Sequence, residues 1–279
     1  MPITVFRHSH GGPEELNEKF KELFEECDIV VVECAHKEDC NTYKKYLNQL
    51  SQIGYSFDVF QSLHDEFLEK LHEFVRNSKK QIEVEESPIS SEEYMKTHLL
   101  FGNSINAFLN GKLKDACIDF LACCKSTAKF SKKRDAYLAE QLIKLQRENE
   151  NKKILLTIGS MHLVYYELKR RGIEAKQEFP YYPYTFPLYD ELRRRIMFGK
   201  PYTMELVAQS IVEIGIFDYL KDLCLSCNEA TKKARKIAEK LSYDEINDLS
   251  KYISKDNYRK IVWKETIISW LKKKGYKIF

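Results

Sequence analysis

Histidine and glutamate side chains end or directly follow four separate short segments of the sequence. These side chains are His8, His10, Glu33, Glu85, Glu86 and His162. Two histidines and a carboxylate form a recurring ligand set for zinc, manganese or iron(II). Any one of these residues alone is better explained by a structural role. The repetition at four segments favours a shared site.

The four segments are predicted to be strands of an open, mostly parallel sheet. Residues 29–32 (IVVV) and 154–158 (ILLTI) are continuous apolar runs, which are typical of strands buried on both faces. Residues 4–6 and 81–86 are predicted to be two further strands. A last strand is predicted over residues 173–179.

A helix is predicted to begin near Glu14, between the first two strands, because Gly11-Gly12-Pro13 turns the chain there. A strand, a helix and a second strand form a βαβ unit, so the first two strands are expected to be parallel neighbours. Ligands of open parallel sheets bind at the carboxyl ends of the strands. The candidate side chains are therefore expected to meet at that edge.

Further helices are predicted before and after a Pro- and Tyr-rich segment, residues 179–190. They cover approximately residues 57–77, 92–128, 133–149, a stretch after His162 that ends at Arg171, and residues 202–224, 229–240, 243–254 and 257–274. The segment is the predicted boundary between an α/β domain, residues 1–190, and a helical, basic C-terminal subdomain, residues 191–279. The predicted fold class is α/β, with an open, mostly parallel sheet flanked by helices and an all-helical C-terminal subdomain.

The positive charge of the chain is concentrated near its C-terminus. The whole sequence has a net charge of +3, whereas residues 229–279 hold 14 basic and 7 acidic side chains, a net charge of +7. No recognised nucleic-acid-binding motif accompanies these basic residues, so a nucleic-acid partner is not expected. The helical C-terminal region instead offers a surface for a homodimer.

The distribution of apolar residues argues against a membrane span. No apolar run approaches the roughly 20 residues that a transmembrane helix needs. The first residues show no secretory signal, so a cytoplasmic location is expected. In that compartment the eight cysteines are expected to be reduced thiols.

Three stretches of the sequence, one of which contains His162, resemble a motif of a known family. Residues 134–140 (RDAYLAE), 154–158 (ILLTI) and 159–163 (GSMHL) resemble the signature of the TraB/PrgY/Tiki superfamily, which is related to erythromycin-esterase and ChaN-like proteins. Its members carry two GxxH motifs, each after a buried strand. They also carry a glutamate at the end of the second strand and an arginine on the helix before the second motif. The resemblance covers approximately residues 3–180.

The resemblance implies a metal-dependent hydrolase that acts on a peptide or ester bond. It places His10, Glu33 and His162 around a divalent ion of manganese, zinc, iron or cobalt, with Glu33, Arg134 and His162 as catalytic residues. A metal of this kind makes its bound water a hydroxide source near neutral pH. Two residues depart from the family pattern: Arg7 replaces the glycine of the first motif, and Lys133 replaces the acidic residue before the arginine.

Two other functions remain open at this point. The first is a non-catalytic or regulatory protein that binds a peptide or small-molecule ligand on the same fold, which the two departures favour. The second is an interaction protein that acts through the helices of residues 200–279. Arg134 also has an alternative interpretation, as a surface residue paired with Asp135 or Glu140.

Overall fold

The computed structural model describes residues 2–9, 12–33, 40–55, 66–86, 88, 91–223 and 225–278. It contains a five-stranded, all-parallel sheet flanked by helices, which confirms the predicted α/β class. The strands are β1 (Ile3–His8), β2 (Ile29–Val32), β3 (Gln81–Val84), β4 (Ile154–Gly159) and β5 (Ala175–Glu178). Each of them overlaps a strand predicted from the sequence.

The order of the strands across the sheet is β3-β2-β4-β1-β5. The prediction that the first two strands are neighbours is therefore wrong, because β4 lies between β1 and β2. In the register of the sheet, Val32 and Phe6 both lie opposite Thr157, and His8 lies opposite Gly159. The central position of β4 explains its complete burial.

The helices fill most of the remaining described chain. They are α1 (Glu18–Glu26), α2 (Cys40–Ile53), α3 (Glu66–Val75), α4 (Ser91–Leu109), α5 (Leu113–Glu148), α6 (Val164–Arg170), α7 (Leu188–Met197), α8 (Met204–Asp222), α9 (Cys227–Ala238), α10 (Tyr243–Ile253), α11 (Asn257–Ile261) and α12 (Trp263–Lys273). A short 3-10 helix, Pro13–Glu15, precedes α1. Among these described helices, α2 and α7 were not predicted, and the first part of the predicted helix 57–77 lies outside the described residues.

Alternate side chains of the strands pack against helices on the two faces of the sheet. Phe6, Val30 and Leu155 belong to the core that α1, α2 and α3 cover. Val31 and Leu156 belong to the core on the other face, which the last part of α5 and α6 cover. Burial of each such side chain contributes roughly 1.5–3 kcal/mol.

The chain leaves two neighbouring strands in opposite directions. From β2 it continues to β3 at one edge of the sheet, whereas from β4 it continues to β5 at the other edge. Loops that diverge in this way open a crevice at the carboxyl ends of the two strands, which is where open parallel sheets bind ligands. For β2 and β4 this rule predicts a crevice beyond Val32 and Gly159.

The chain divides into two compact units. The first comprises residues 1–91 and 130–184, and the second comprises residues 92–129 and 185–279. The predicted single boundary after residue 190 differs from this division, because residues 92–129 also belong to the helical unit. This helical unit has its own apolar core, in which Ile211, Ile216 and Leu220 of α8 are fully buried. In the described ranges, no helix is both long enough and apolar enough to cross a bilayer.

Candidate functional site

Five charged side chains lie together at the carboxyl ends of β2, β3 and β4. They are Glu33, Glu85, Arg134, Asp135 and His162, and we call them the charged cluster. Glu33 and Glu85 follow the ends of β2 and β3, and His162 lies in the turn between β4 and α6. Arg134 and Asp135 are consecutive residues of α5. Elements far apart in the sequence thus supply one group at the edge that the strand pattern predicted.

Arg134 joins the two glutamates of the charged cluster. Its Nη2 lies 2.9 Å from Oε1 of Glu33 and 2.5 Å from Oε2 of Glu85, and its Nε also donates to Glu85. The Arg134 side chain is 13% exposed and that of Glu85 is fully buried. The interpretation of Arg134 as a surface residue is therefore wrong, and Glu140 pairs with Arg171 instead.

Burial and the neighbouring charges shift the pKa values of Arg134 and Glu85 in opposite directions. Burial disfavours the charged guanidinium, but Glu33 and Glu85 outweigh it and hold the pKa of Arg134 above its usual range. Burial raises the pKa of Glu85, and the contact with Arg134 limits that rise. Such a pair repays its desolvation only when its hydrogen bonds are well formed, as the two-pronged contact with Glu85 is.

His162 lies between two carboxylates. Its Nδ1 is 2.5 Å from Oδ1 of Asp135, and its Nε2 is 3.3 Å from Oε1 of Glu33. Burial favours the neutral ring, but Asp135 and Glu33 outweigh both burial and the charge of Arg134, and the pKa of His162 is raised to about 9. The ring is therefore protonated at neutral pH, with its Nδ1 bound to Asp135 and its Nε2 facing Glu33.

Backbone amides fix the two carboxylates that flank His162. Oδ2 of Asp135 accepts the Leu163 N–H at 2.6 Å, at the start of α6. Oε2 of Glu33 accepts the Gly159 N–H at 2.8 Å, at the end of β4. Each carboxylate thus has one oxygen bound to the backbone near His162 and the other directed at its ring. These backbone contacts therefore determine where the two ring nitrogens of His162 lie.

The structure brings together some of the predicted site residues but not all of them. Glu33 contacts both Arg134 and His162, and Arg134 also contacts the strand-end residue Glu85. His10 lies outside the described residues. His8 is buried on the opposite face of the sheet, where its ring stacks on Phe67 with 4.3 Å between ring centroids.

Another strand-end residue, Glu86, is exposed and lies outside the charged cluster. Its Oε2 accepts from the Tyr137 hydroxyl at 3.3 Å and from Gln141 at 3.4 Å.

Three residues around this edge were not predicted to be site residues. Asp135 was considered only as a surface partner of Arg134, although its position next to that arginine in the helix was a usable signal. Arg7 was noted only as a departure from a motif, yet it is fully buried and donates to the Ser160 carbonyl. Glu15 is also buried and accepts from the amide and the hydroxyl of Ser9, each at 2.8 Å.

The described residues do not fit a divalent metal ion. Within the described part of the chain, no three His, Cys, Asp or Glu side chains are grouped so that they could hold one. Both nitrogens of His162 face carboxylates, and the guanidinium of Arg134 lies between Glu33 and Glu85 where a cation would bind. Because His10 is outside the described residues, the full predicted ligand set stays a prediction.

The sequence and the structure were compared with known proteins. No protein-family model matches the chain, and no curated protein or solved structure matches it. The resemblance to the TraB/PrgY/Tiki superfamily therefore rests on the motif residues alone and stays a prediction.

Proposed function

We propose that this protein is a hydrolase of a peptide or ester bond, with Glu33 as general base and His162 as general acid. The observation that supports this proposal is the chain of contacts from Asp135 through His162 to Glu33 at the carboxyl ends of β2 and β4. An oriented imidazole beside a carboxylate is a recurring acid–base arrangement. The side chains of Glu33 and His162 are 15% and 8% exposed, so both can meet a small group of a substrate.

The reaction begins with water bound beside Glu33. Glu33 takes a proton from the water as the water oxygen bonds to the carbonyl carbon, and the carbonyl π electrons move to the carbonyl oxygen. When this intermediate collapses, the bond to the leaving nitrogen or oxygen breaks, and that atom takes the Nε2 proton of His162. The proton on Glu33 then passes to Nε2, 3.3 Å away, which restores both groups. The products are a carboxylic acid and an amine or alcohol.

Asp135 and Arg134 support the two proton-transfer groups. Asp135 accepts from Nδ1 and so directs Nε2 of His162 toward Glu33. The ion pair with Arg134 holds the carboxylate of Glu33 in place beside His162. The positive charge of Arg134 also favours the negative charge that develops on the carbonyl oxygen, an effect that is strong in a buried site.

One observation favours the alternative, a ligand-binding protein without catalysis. His162 and Arg134 already have carboxylate partners within the charged cluster, so a substrate must exchange one of these contacts before it reacts. A protein that only binds a peptide or small molecule at the crevice needs no such exchange.

The test is hydrolysis of a panel of nitrophenyl esters and fluorogenic peptides by the purified full chain. We expect turnover by the wild type, and a loss of at least about 10²-fold in kcat for His162→Ala and for Glu33→Gln. Glu86→Gln is the matched control, because this exposed carboxylate lies outside the charged cluster, and we expect it to retain wild-type kcat.

Two further measurements separate the alternatives. Calorimetric binding of a panel member, without turnover by any variant, would favour the ligand-binding protein. Turnover that EDTA abolishes and manganese, zinc, iron or cobalt restores would contradict the metal-free steps above. It would support the metal-dependent hydrolase predicted from the motif.

A further inference from the structure

Arg7 is a fully buried arginine in the strand that adjoins the turn of His162. It lies in β1 between Phe6 and His8, and its side chain is 0% exposed. Transfer of a guanidinium from water into a protein interior is costly unless its charge and its N–H groups find partners. Its position therefore depends on the groups around it.

The guanidinium of Arg7 has partners from two other segments of the α/β unit. Its Nη2 donates to the carbonyl oxygen of Ser160, in the turn after β4. Its Nη1 donates to Oε1 of Gln177 in β5 at 3.3 Å, and its Cζ lies 5.4 Å from the ring centroid of Phe179. A planar cation with a rigid set of donors can satisfy an amide, a carbonyl and an aromatic ring together.

Both backbone polar groups of Ser160, its N–H and its carbonyl, are hydrogen-bonded to residues of β1. Its N–H donates to the His8 carbonyl at 2.5 Å, and its own carbonyl accepts from Arg7. Two residues later, the N–H of His162 donates to the Gly159 carbonyl at 3.1 Å, which closes the turn. The position of the turn relative to β1 thus depends on a backbone bond and on the Arg7 side chain.

This turn determines where the ring of His162 lies. His162 contacts Glu33 at 3.3 Å, which is already longer than an ideal hydrogen bond, so a small displacement of the turn would break the contact. Misplacement of a reacting group by about 1 Å can cost roughly 10²-fold in rate. Without Arg7, the buried Ser160 carbonyl would lose a donor and the turn could move.

We propose that Arg7 is a positioning residue, which fixes the turn of residues 159–162 and thereby holds His162 against Glu33. The kinetic part of this inference rests on the proposed hydrolase. The structural part, a dependence of the His162 ring on Arg7, can be measured whether or not the protein is an enzyme.

The experiment compares Arg7→Met and Arg7→Lys with a matched control, Arg193→Met, in the full chain. Arg193 is a buried arginine of the helical unit, whose guanidinium lies 5.0 Å from the ring centroid of Tyr189. The first readout is the ring resonance of His162 in NMR spectra at pH 7, assigned by its absence in His162→Gln. The second is kcat and KM on the best substrate of the panel.

We expect Arg7→Met to shift the ring resonance of His162 and to lower kcat at least about tenfold, with KM within about twofold. Arg7→Lys should keep part of kcat, because an ammonium can reach only some of these partners. Arg193→Met should lower the melting temperature without a change in the resonance or in kcat.

An unchanged His162 resonance in folded Arg7→Met would overturn the proposal, with or without activity. If Arg7→Met does not fold, the resonance in Arg7→Lys decides in the same way. If neither variant folds, Gln177→Met decides, because it removes one contact of the guanidinium and keeps the arginine. A wild type that hydrolyses nothing would sink the proposed function, whereas the resonance would still decide the role of Arg7.

Discussion

The proton bound by His162 contributes to the stability of the α/β unit. Asp135 binds both the ring of this histidine and the amide of Leu163, the residue directly before α6, so one carboxylate sets a side chain and a helix start together. The protonated ring is stabilised by this arrangement and by Glu33, against the cost of burial. The charge state of one residue therefore contributes to the stability of its unit.

We expect the wild type to lose stability at alkaline pH through His162. The pKa of this residue is raised from 6.5 to about 9, so its contribution is fully present below pH 6.5 and is lost as the pH rises through 9. Relative to His162→Gln, the free energy of unfolding should fall by about 1–3 kcal/mol across this range. Urea unfolding of both proteins at pH 6 to 9.5 measures it, and parallel pH dependences would contradict the prediction.

Glu213 is a buried residue of α8, and its carboxylate contacts the first residue of α7. Its Oε2 accepts the Leu188 N–H at 2.6 Å, and its Oε1 has no hydrogen-bond partner among the described residues. The start of a helix favours a negative charge, but burial outweighs this and the backbone contacts and raises the pKa of Glu213 to about 8. The carboxyl group therefore keeps a proton in the folded helical unit near neutral pH.

We expect Glu213→Gln to stabilise the protein at pH 8 and to leave it little changed at pH 4.5. Between pH 4.5 and 8 the native state binds a proton that the unfolded state releases, so wild-type stability falls as the pH rises. The glutamine removes this dependence and should raise the free energy of unfolding at pH 8 by about 1–3 kcal/mol. Denaturant titrations at both pH values, with exposed Glu205→Gln of the same helix as control, measure it. An equal effect of Glu213→Gln at both pH values would contradict it.

The strands and the helices differ in how well the sequence predicted them. Strands β2 and β4 were predicted because continuous apolar runs need burial on both faces. The boundary between α4 and α5 was placed about 20 residues too late. The structural break is at Gly111, whose φ of +74° suits glycine, and α5 then continues unbroken to Glu148. Local residue types thus located the strands better than the helix ends.

Only part of the candidate site could be predicted from local sequence patterns. Glu33 and His162 were predicted to meet because both follow strands of one parallel sheet, and the structure confirms their contact. The role of Asp135 depends on how α5 lies across the sheet next to the turn after β4, which residue spacing does not express. The same holds for β4 between β1 and β2, since strand order is decided by packing between distant segments.

Both units bury thiols in their apolar cores. Cys27 and Cys40 belong to the core of the α/β unit, whereas Cys117 and Cys124 belong to the core of the helical unit. Burial raises the pKa of Cys27 to about 11 and that of Cys117 to about 12. Because the thiolate is the reactive form, these side chains should react only when their core opens.

We expect a Cys34→Ser/Cys224→Ser variant to show no rapid reaction with a thiol reagent at pH 7.5. The two replaced cysteines lie outside the described residues, and all six that remain are buried. Their labelling should be at least about 10²-fold slower than that of free cysteine and should rise with denaturant. Mass spectrometry of the labelled peptides then reports when each core opens. Rapid labelling of Cys27 or Cys117 in native buffer would contradict the burial described for it.

The central place of β4 also has a consequence for how the protein reaches its fold. Ile3 of β1 pairs with Ile154 of β4, across about 150 residues of chain. During synthesis, β1 therefore emerges long before the strand that separates it from β2, and the sheet closes only after β4 has left the ribosome. Pairings between such distant segments carry a large loop-closure entropy and slow folding. Folding of the α/β unit should therefore await the synthesis of β4, with the apolar strands β1 and β2 exposed to chaperones until then.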